Sequence, residues 1–257
     1  MNEKELENIE KLEKKYLDKY YHFLKFVEDE LLLGFKTKAK IEKDWIDKYK
    51  SGISDFAVGA ERIVYSLLNG KGIGQPNSAP VGADLFFEVK DAFIHIDLKT
   101  VGASLVGKTN IGDYLKNIFV GTNQNSYKGQ MIVNEGSANE EYRDYEPALP
   151  TFYNRDTKDE KICLSYFITI LYDKDSLDTL VMSIVCMPNG ELEPHYTTRV
   201  LQAGKNKKKT RFNFSNVPEF ELLNLKPKRL KVVYYDEGMD ERYQNKLKFY
   251  KDIYDEQ

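Results

Sequence analysis

Only two cysteines, three histidines and one tryptophan occur in the 257 residues. Cys163 and Cys186 lack C-x-x-C spacing, have no histidine beside them and fall in apolar, strand-like runs. They read as buried, reduced thiols, which removes a disulfide framework and a thiol redox pair from consideration. His22, His95 and His195 are scattered, and this argues against a zinc site or a Cys–His nucleophile. Long hydrophobic runs are also missing: no apolar stretch approaches the roughly 18 residues of a membrane-spanning helix. The opening MNEKELENIEKLEKKY carries no apolar signal region, so a cytoplasmic protein is expected.

A large excess of one charge sign is lacking too, since the formal net charge is −3. The distribution is uneven. From His195 to Val233 ten Lys or Arg face two Glu, a local excess of +8 that leaves −11 for the rest of the chain. Either a basic face for a polyanion or a solvated charged loop fits this excess. Hydrophobic content of 41% and aromatic content of 13% describe a globular chain with ample core material.

Residues 2–33 read as one long charged helix with an apolar stripe through Leu12, Tyr16, Leu17, Tyr20, Phe23, Leu24 and Val27. A second helix is expected over 55–70, stopped by Gly70. The turn-rich KGIGQPNSAPVG leads into two apolar runs, ADLFFEV and AFIHIDLKTV, which predict a β-hairpin. A loop and a helix over NIGDYLKNIF follow, then a polar region from 121 to 157 too long for an idle connection. KICLSYFITILYD and TLVMSIVCMPNG are the strongest strand candidates, RLKVVYYD is a last strand, and a helix is expected from Met239 onward. No internal repeat is visible. Helices flanking one mixed central sheet, an α/β or α+β fold, are predicted.

Two chemistries compete for IHIDLKTVGASLVGKT. Gly102, Gly107, Lys108 and Thr109 complete the phosphate-loop string G-x-x-x-x-G-K-[ST], and Asp173 ends a strand as a partner acid would. Such a loop should follow a strand buried on both faces. Here Phe93, His95, Asp97 and Lys99 alternate with Ile94, Ile96 and Leu98, which predicts a strand with one polar face. Metal-assisted phosphodiester cleavage requires hard oxygen ligands and a nearby cation. Asp84 in the first hairpin strand and Asp97 in the second can converge after one tight turn, and Lys99 shares the face of Asp97. The D-x-K matches at Asp156 and Asp159 lie in a polar loop without a strand.

Over residues 55–100 this arrangement resembles the PD-(D/E)xK nuclease superfamily, and particularly type II restriction endonucleases: a helix with Glu61, a turn-rich loop, GAD, and IDLK twelve residues after Asp84. Ala83 stands where the family pattern has proline. The resemblance implies a restriction-endonuclease-like core in a single nuclease domain over 1–257, with an N-terminal helical arm over about 1–50 and a C-terminal helix over about 239–257. It implies Mg²⁺ held by Asp84, Asp97 and the Leu98 carbonyl, with Lys99 orienting or deprotonating the attacking water. Glu61 is either a second metal contact or a helix surface charge, and His95 is expected to be a packed strand histidine. Gln75 and Asn77 sit where blunt-cutting members approach the minor groove, or are simply turn residues of a Pro-containing loop, and Lys108 becomes a phosphate contact.

Base reading is expected from the amides Asn123, Gln124 and Asn125, and phosphate contact from Lys205, Lys207, Lys208, Lys209 and Arg211. Cutting both strands of a palindrome implies a homodimer on double-stranded DNA, with no nucleotide cofactor. A P-loop NTPase and a non-catalytic DNA-binding protein remain the alternatives at this level.

Overall fold

Asn2 and Glu5 start the first helix. Asn2 Oδ1 accepts the Glu5 N–H at 3.0 Å and Glu5 Oε2 accepts the Asn2 N–H at 2.7 Å, a reciprocal cap on two otherwise orphaned donors. The computed structural model describes residues 1–46, 56–70, 75–76, 84–106, 111–204 and 210–257. The helix expected over 2–33 is two helices, α1 (Glu3–Phe26) and α2 (Glu28–Ile46). Between them Val27 leaves helical backbone at φ −104° and ψ 18°. The turn keeps Val27, Leu31 and Phe35 on the core while Phe26 is left 77% exposed.

After α3 (Phe56–Gly70) come β1 (Gln75–Pro76), β2 (Leu85–Glu88) and β3 (Ala92–Ala103). The middle region holds α4 (Ile111–Tyr114), β4 (Asn117–Val120), β5 (Gly129–Val133), β6 (Glu141–Tyr145) and β7 (Phe152–Tyr153). Then follow β8 (Lys161–Asp173), β9 (Thr179–Met187), α5 (Glu193–Tyr196), β10 (Leu201–Ala203), β11 (Thr210–Asn213), β12 (Leu230–Tyr235), α6 (Glu241–Lys246) and α7 (Lys248–Glu256).

The main sheet runs β1-β2-β3-β8-β9-β12, with β7 pairing onto β8. All its pairs are antiparallel except β3 with β8, so the sheet is mixed as predicted. Helix α1 lies on the face that carries Phe87 and Tyr166: Tyr20 meets both rings, and Tyr166 Oη donates to the Glu13 carbonyl at 2.8 Å. On the other face Tyr114 Oη meets Thr169 Oγ1 at 3.3 Å, and Tyr250 Oη of α7 donates to the Tyr114 carbonyl at 2.9 Å.

Four further expectations change. The polar face of β3 is covered, not open, with His95 1% and Asp97 3% exposed. NIGDYLKNIF is not one helix: α4 is a single turn, and Ile118 and Val120 turn inward around exposed Phe119. That period-two burial pairs β4 with β11.

The third change concerns repetition. The turns at 134–140 and 154–160 share the pattern N-x-[GD]-[ST]-x-[ND]-E and one geometry. Asn134 and Asn154 have φ of 55° and 54°; Gly136 N–H and Asp156 N–H donate to Glu140 and Glu160 at 2.7 and 2.8 Å. Seven residues with five loose positions are too few to stand out as a repeat in the sequence.

The fourth is the basic excess of 195–233, which among the described residues does not form one face. Arg229 is fully buried against Glu13 and Glu10, Arg199 grips Glu221 with both Nη atoms, and Lys228 and Lys231 meet Glu219 and Asp18. Lys205, Lys207, Lys208 and Lys209 lie outside the described residues.

Candidate active site

The β2–β3 hairpin builds the site by register. Leu85 pairs with Ile96, so Asp84, one residue earlier, stands opposite Asp97. A hydrogen bond fastens the two strands there: Asp84 Oδ2 accepts the Leu98 N–H at 2.9 Å. Asp84 is exposed at the strand end, whereas Asp97 lies one step inside. Lys99, two residues on, returns to the same face and forms an ion pair with Asp97 Oδ2. Of the residues expected to act together, the structure brings Asp84, Asp97 and Lys99 into one cluster.

Burial is the main reason the Asp97 carboxyl is pushed up to about 7; the nearby Asp84 charge adds to this, and Lys99 opposes it. Tyr65 of α3, absent from the sequence reading, borders the same pair. Burial, and then the Asp84 carboxylate, hold its phenol well above the ordinary tyrosine range, with Glu61 and Asp97 contributing. Glu61 is half-buried one helical turn before Tyr65. That i, i+4 spacing from a suspected acid was the available signal for Tyr65. Among the described residues no group of three or more His, Cys, Asp or Glu is arranged to hold a metal.

The residues expected to read DNA separate. Gln124, in a one-turn 3₁₀ helix Thr122–Gln124, joins the carboxylate cluster, donating to Asp97 Oδ1 at 2.8 Å and accepting from Lys99 at 3.2 Å. Asn123 is exposed. Asn125 cannot reach a groove: it is buried, with its amide donating to the Gly121 carbonyl and Tyr145 Oη and its oxygen accepting the Tyr127 N–H. The Asn-Gln-Asn run looked uniform, but the 3₁₀ turn points its three side chains in three directions.

Arg211 lies on β11 opposite Phe119, its guanidinium 4.9 Å from that ring. Gln75 is described through its strand pairing with Glu88. Asn77 and Lys108 lie outside the described residues.

His95 packs as expected, between Phe86 and Tyr153, with Nε2 3.1 Å from Tyr153 Oη. Burial lowers it to about 4, which keeps the ring neutral. Cys163 and Cys186 are free and buried.

The phosphate-loop alternative requires a strand buried on both faces, a condition the alternating pattern spoke against but β3 meets. Two other features count against it. Gly102 and Ala103 are still in the ladder, opposite Tyr172 and Asp173, so the string's first glycine is not in a loop. The following helix, α4, has four residues, too few to present an N-terminus to phosphate. Gly107, Lys108 and Thr109 lie outside the described residues. Asp173 serves a turn: it accepts the N–H groups of Asp175 and Ser176 and the hydroxyl of Tyr243.

A model of the N-terminal domain of the type II restriction enzyme MwoI matches residues 5–176, and a model of that enzyme's central domain matches residues 179–235. The junction falls in the turn between β8 and β9, which pair in one sheet. The restriction endonuclease BglI bound to its DNA recognition sequence superposes with a TM-score of 0.67 at 16% identity, covering 92% of this chain and 95% of that one. Tetrameric restriction endonuclease SfiI bound to cognate DNA superposes with a TM-score of 0.63 at 15% identity, covering 91% and 87%. At such identities the likeness is one of fold, a mixed sheet flanked by helices in the restriction-endonuclease arrangement. No curated protein matches in sequence. Among the described residues no helix is long and apolar enough to cross a membrane.

Proposed function

The chain belongs to the family of the type II restriction enzyme MwoI, and on that premise we propose that it is a sequence-specific, Mg²⁺-dependent endonuclease of double-stranded DNA. The reaction is phosphodiester hydrolysis to 5′-phosphate and 3′-hydroxyl ends. One observation carries the proposal: Asp84 accepts the Leu98 N–H and so stands beside Asp97, with Lys99 on the same face.

The donor set fits a hard divalent cation. Two carboxylates meet at a strand end, and Asp97 Oδ2, though ion-paired with Lys99, accepts no hydrogen bond of good geometry. A residue's N–H and C=O leave an extended strand on the same edge, so the Leu98 carbonyl shares the Asp84 side. Asp84, Asp97 and the Leu98 carbonyl would therefore hold Mg²⁺. When bound, the ion supplies Lewis-acid charge beside the scissile phosphate.

The chain's own residues do the rest. Asp97 carries a proton into the neutral range and must release it to act as a ligand. Lys99 Nζ, at present balancing Asp97, is the cation that orients the attacking water and offsets charge developing on phosphate. Glu61, from α3, acts on the same Tyr65 phenol as the pair and is assigned as a contact for a second ion or its water.

The two matched segments share one sheet, which supports a single nuclease unit with a helical N-terminal arm and C-terminal helices. Cleaving both strands of a symmetric site calls for a homodimer. DNA contacts are assigned to Gln75, Asn77, Lys108, Asn123, Lys205, Lys207, Lys208, Lys209 and Arg211; Gln124 and Asn125 are removed because their amides are engaged, the first with Asp97, Lys99 and Gly121 and the second, buried, with Gly121 and Tyr145.

Digestion of a long DNA with Mg²⁺ and no nucleotide tests the assignment. Discrete bands are expected from the parent and none from Asp97→Ala, while DNA binding in Ca²⁺ persists in both. Cutting by Asp97→Ala, or cutting that requires ATP, overturns it.

A further inference from the structure

Gln124 faces the carboxylate cluster through both ends of its amide. Nε2 donates to Asp97 Oδ1 at 2.8 Å, and Oε1 accepts from Lys99 Nζ at 3.2 Å and from the Gly121 N–H at 2.8 Å. The amide orientation is dictated by its partners: reversed, its NH₂ would face an ammonium and a backbone N–H. A planar amide suits this place because it offers a donor to a carboxylate and an acceptor to a cation from one rigid group. The spacing between Asp97 and Lys99 is thereby set by a third side chain as well as by their own ion pair.

The turn that carries Gln124 is itself held. The Gly121 carbonyl accepts Asn125 Nδ2 and Tyr145 Oη, both at 3.0 Å, and Tyr145 is the last residue of β6. Side chains crowd Gly121 at this point: a Cβ there would lie 2.8 Å from Asn123 Oδ1 and 3.3 Å from Gln124 Oε1. A continuous set of hydrogen bonds thus runs from Asp97 through Gln124 and Gly121 to the β5–β6 hairpin.

We propose that Gln124 is a positioning residue for the reaction. It fixes the Asp97 carboxylate and the Lys99 ammonium relative to each other and ties both to the β5–β6 hairpin. The role rests on the nuclease reading, since it needs Asp97 as a metal ligand. Hydrogen-bond partners of ligating carboxylates orient the ligand, and their loss typically weakens metal binding about 10–100-fold.

Two variants test it against the parent and Asp97→Ala. In Gln124→Ala the Ca²⁺ concentration for half-maximal binding of a cleavable DNA fragment, read by fluorescence anisotropy, is expected to rise about 10–100-fold. Single-turnover cutting slows, while DNA affinity at saturating Ca²⁺ is retained. Gln124→Glu keeps an acceptor for Lys99 and Gly121 but loses the donor to Asp97, so its Ca²⁺ midpoint is also expected to rise. A merely structural glutamine would leave the Ca²⁺ midpoint where it is in the parent. If Gln124→Ala does not fold, Gln124→Glu decides alone.

Gln124 variants with the parent's Ca²⁺ midpoint overturn the positioning role. Asp97→Ala separates this from failure of the nuclease reading. If Asp97→Ala loses cutting while the Gln124 variants match the parent, only the positioning role falls; if Asp97→Ala still cuts, the nuclease reading itself falls.

Discussion

Arg229 Nη2 lies 2.9 Å from Glu13 Oε2, and neither side chain has any exposed surface. The guanidinium also donates to Tyr196 Oη at 2.9 Å and to the Glu219 carbonyl at 3.2 Å, while Glu13 Oε1 accepts the Asn189 N–H at 2.6 Å. Helix α1 is thus fastened to the end of the sheet by charge as well as by its apolar stripe. Removing one partner leaves a buried, uncompensated charge, so Arg229→Ala is expected to lower stability by about 3–5 kcal/mol. Thermal unfolding should then fall by about 10 °C. An unchanged melting temperature would mean that the network relaxes at no cost.

In the metal-free protein Asp97 contributes stability that is lost as pH rises from about 4 to about 7, while buried His95, lowered to about 4, opposes it with stability gained as pH rises toward 6.5. Asp97 is protonated more readily in the fold, at about 7 against 3.8 for its ordinary value. The unfolded chain gives up that proton first, so the stabilisation is fully present below the lower value and gone above the higher one. Glu13, raised to about 7 chiefly by burial, contributes a slope of the same sign. Asp97→Asn should therefore reduce the slope without abolishing it and raise stability at pH 8 by about 1–3 kcal/mol. Denaturant melts across this pH range measure both effects, and an identical slope in Asp97→Asn would refute the assignment.

Lys99 is the cation on the site face of β3, and no second lysine follows it on that strand. Lys99→Met should keep DNA binding in Ca²⁺ and lower single-turnover cleavage by about 10²–10³-fold. Equal losses in binding and cleavage would place Lys99 in DNA attachment alone.

Tyr145 Oη donates to the Gly121 carbonyl at 3.0 Å and accepts from Asn125 Nδ2 at 2.7 Å. Tyr145→Phe is expected to cost about 1 kcal/mol of stability. Chemical denaturation of the variant checks this, and a stabilised variant would show that the hydroxyl is not needed there.

Lys108 separates the two chemistries read from IHIDLKTVGASLVGKT. Lys108→Ala should weaken DNA binding and flatten its salt dependence by about one unit of slope, as loss of one phosphate contact does. Cleavage should be indifferent to ATP. Activity that required both Lys108 and ATP would return the phosphate-loop reading.

By itself the sequence determined what depends on neighbours along the chain. Alternating apolar residues in ADLFFEV and AFIHIDLKTV specified the hairpin, and one tight turn between them sufficed to bring Asp84 opposite Asp97. The runs KICLSYFITILYD and TLVMSIVCM specified the paired central strands, because continuous β-branched and aromatic stretches demand burial on both faces. Only the tertiary structure decided that β3 runs parallel to β8 and that its polar face is covered, since that cover comes from residues far along the chain. It alone turned Gln124 toward Asp97 and Asn125 into the core. The direction of each side chain there follows from hydrogen bonds to Gly121, Tyr145 and Lys99, which no spacing in the string announces. It also divided the basic excess near the C-terminus, pairing Arg229 and Arg199 with acids of α1 and residue 221. Local periodicity predicts local pairs; charges that end up buried are chosen by partners that only folding brings near.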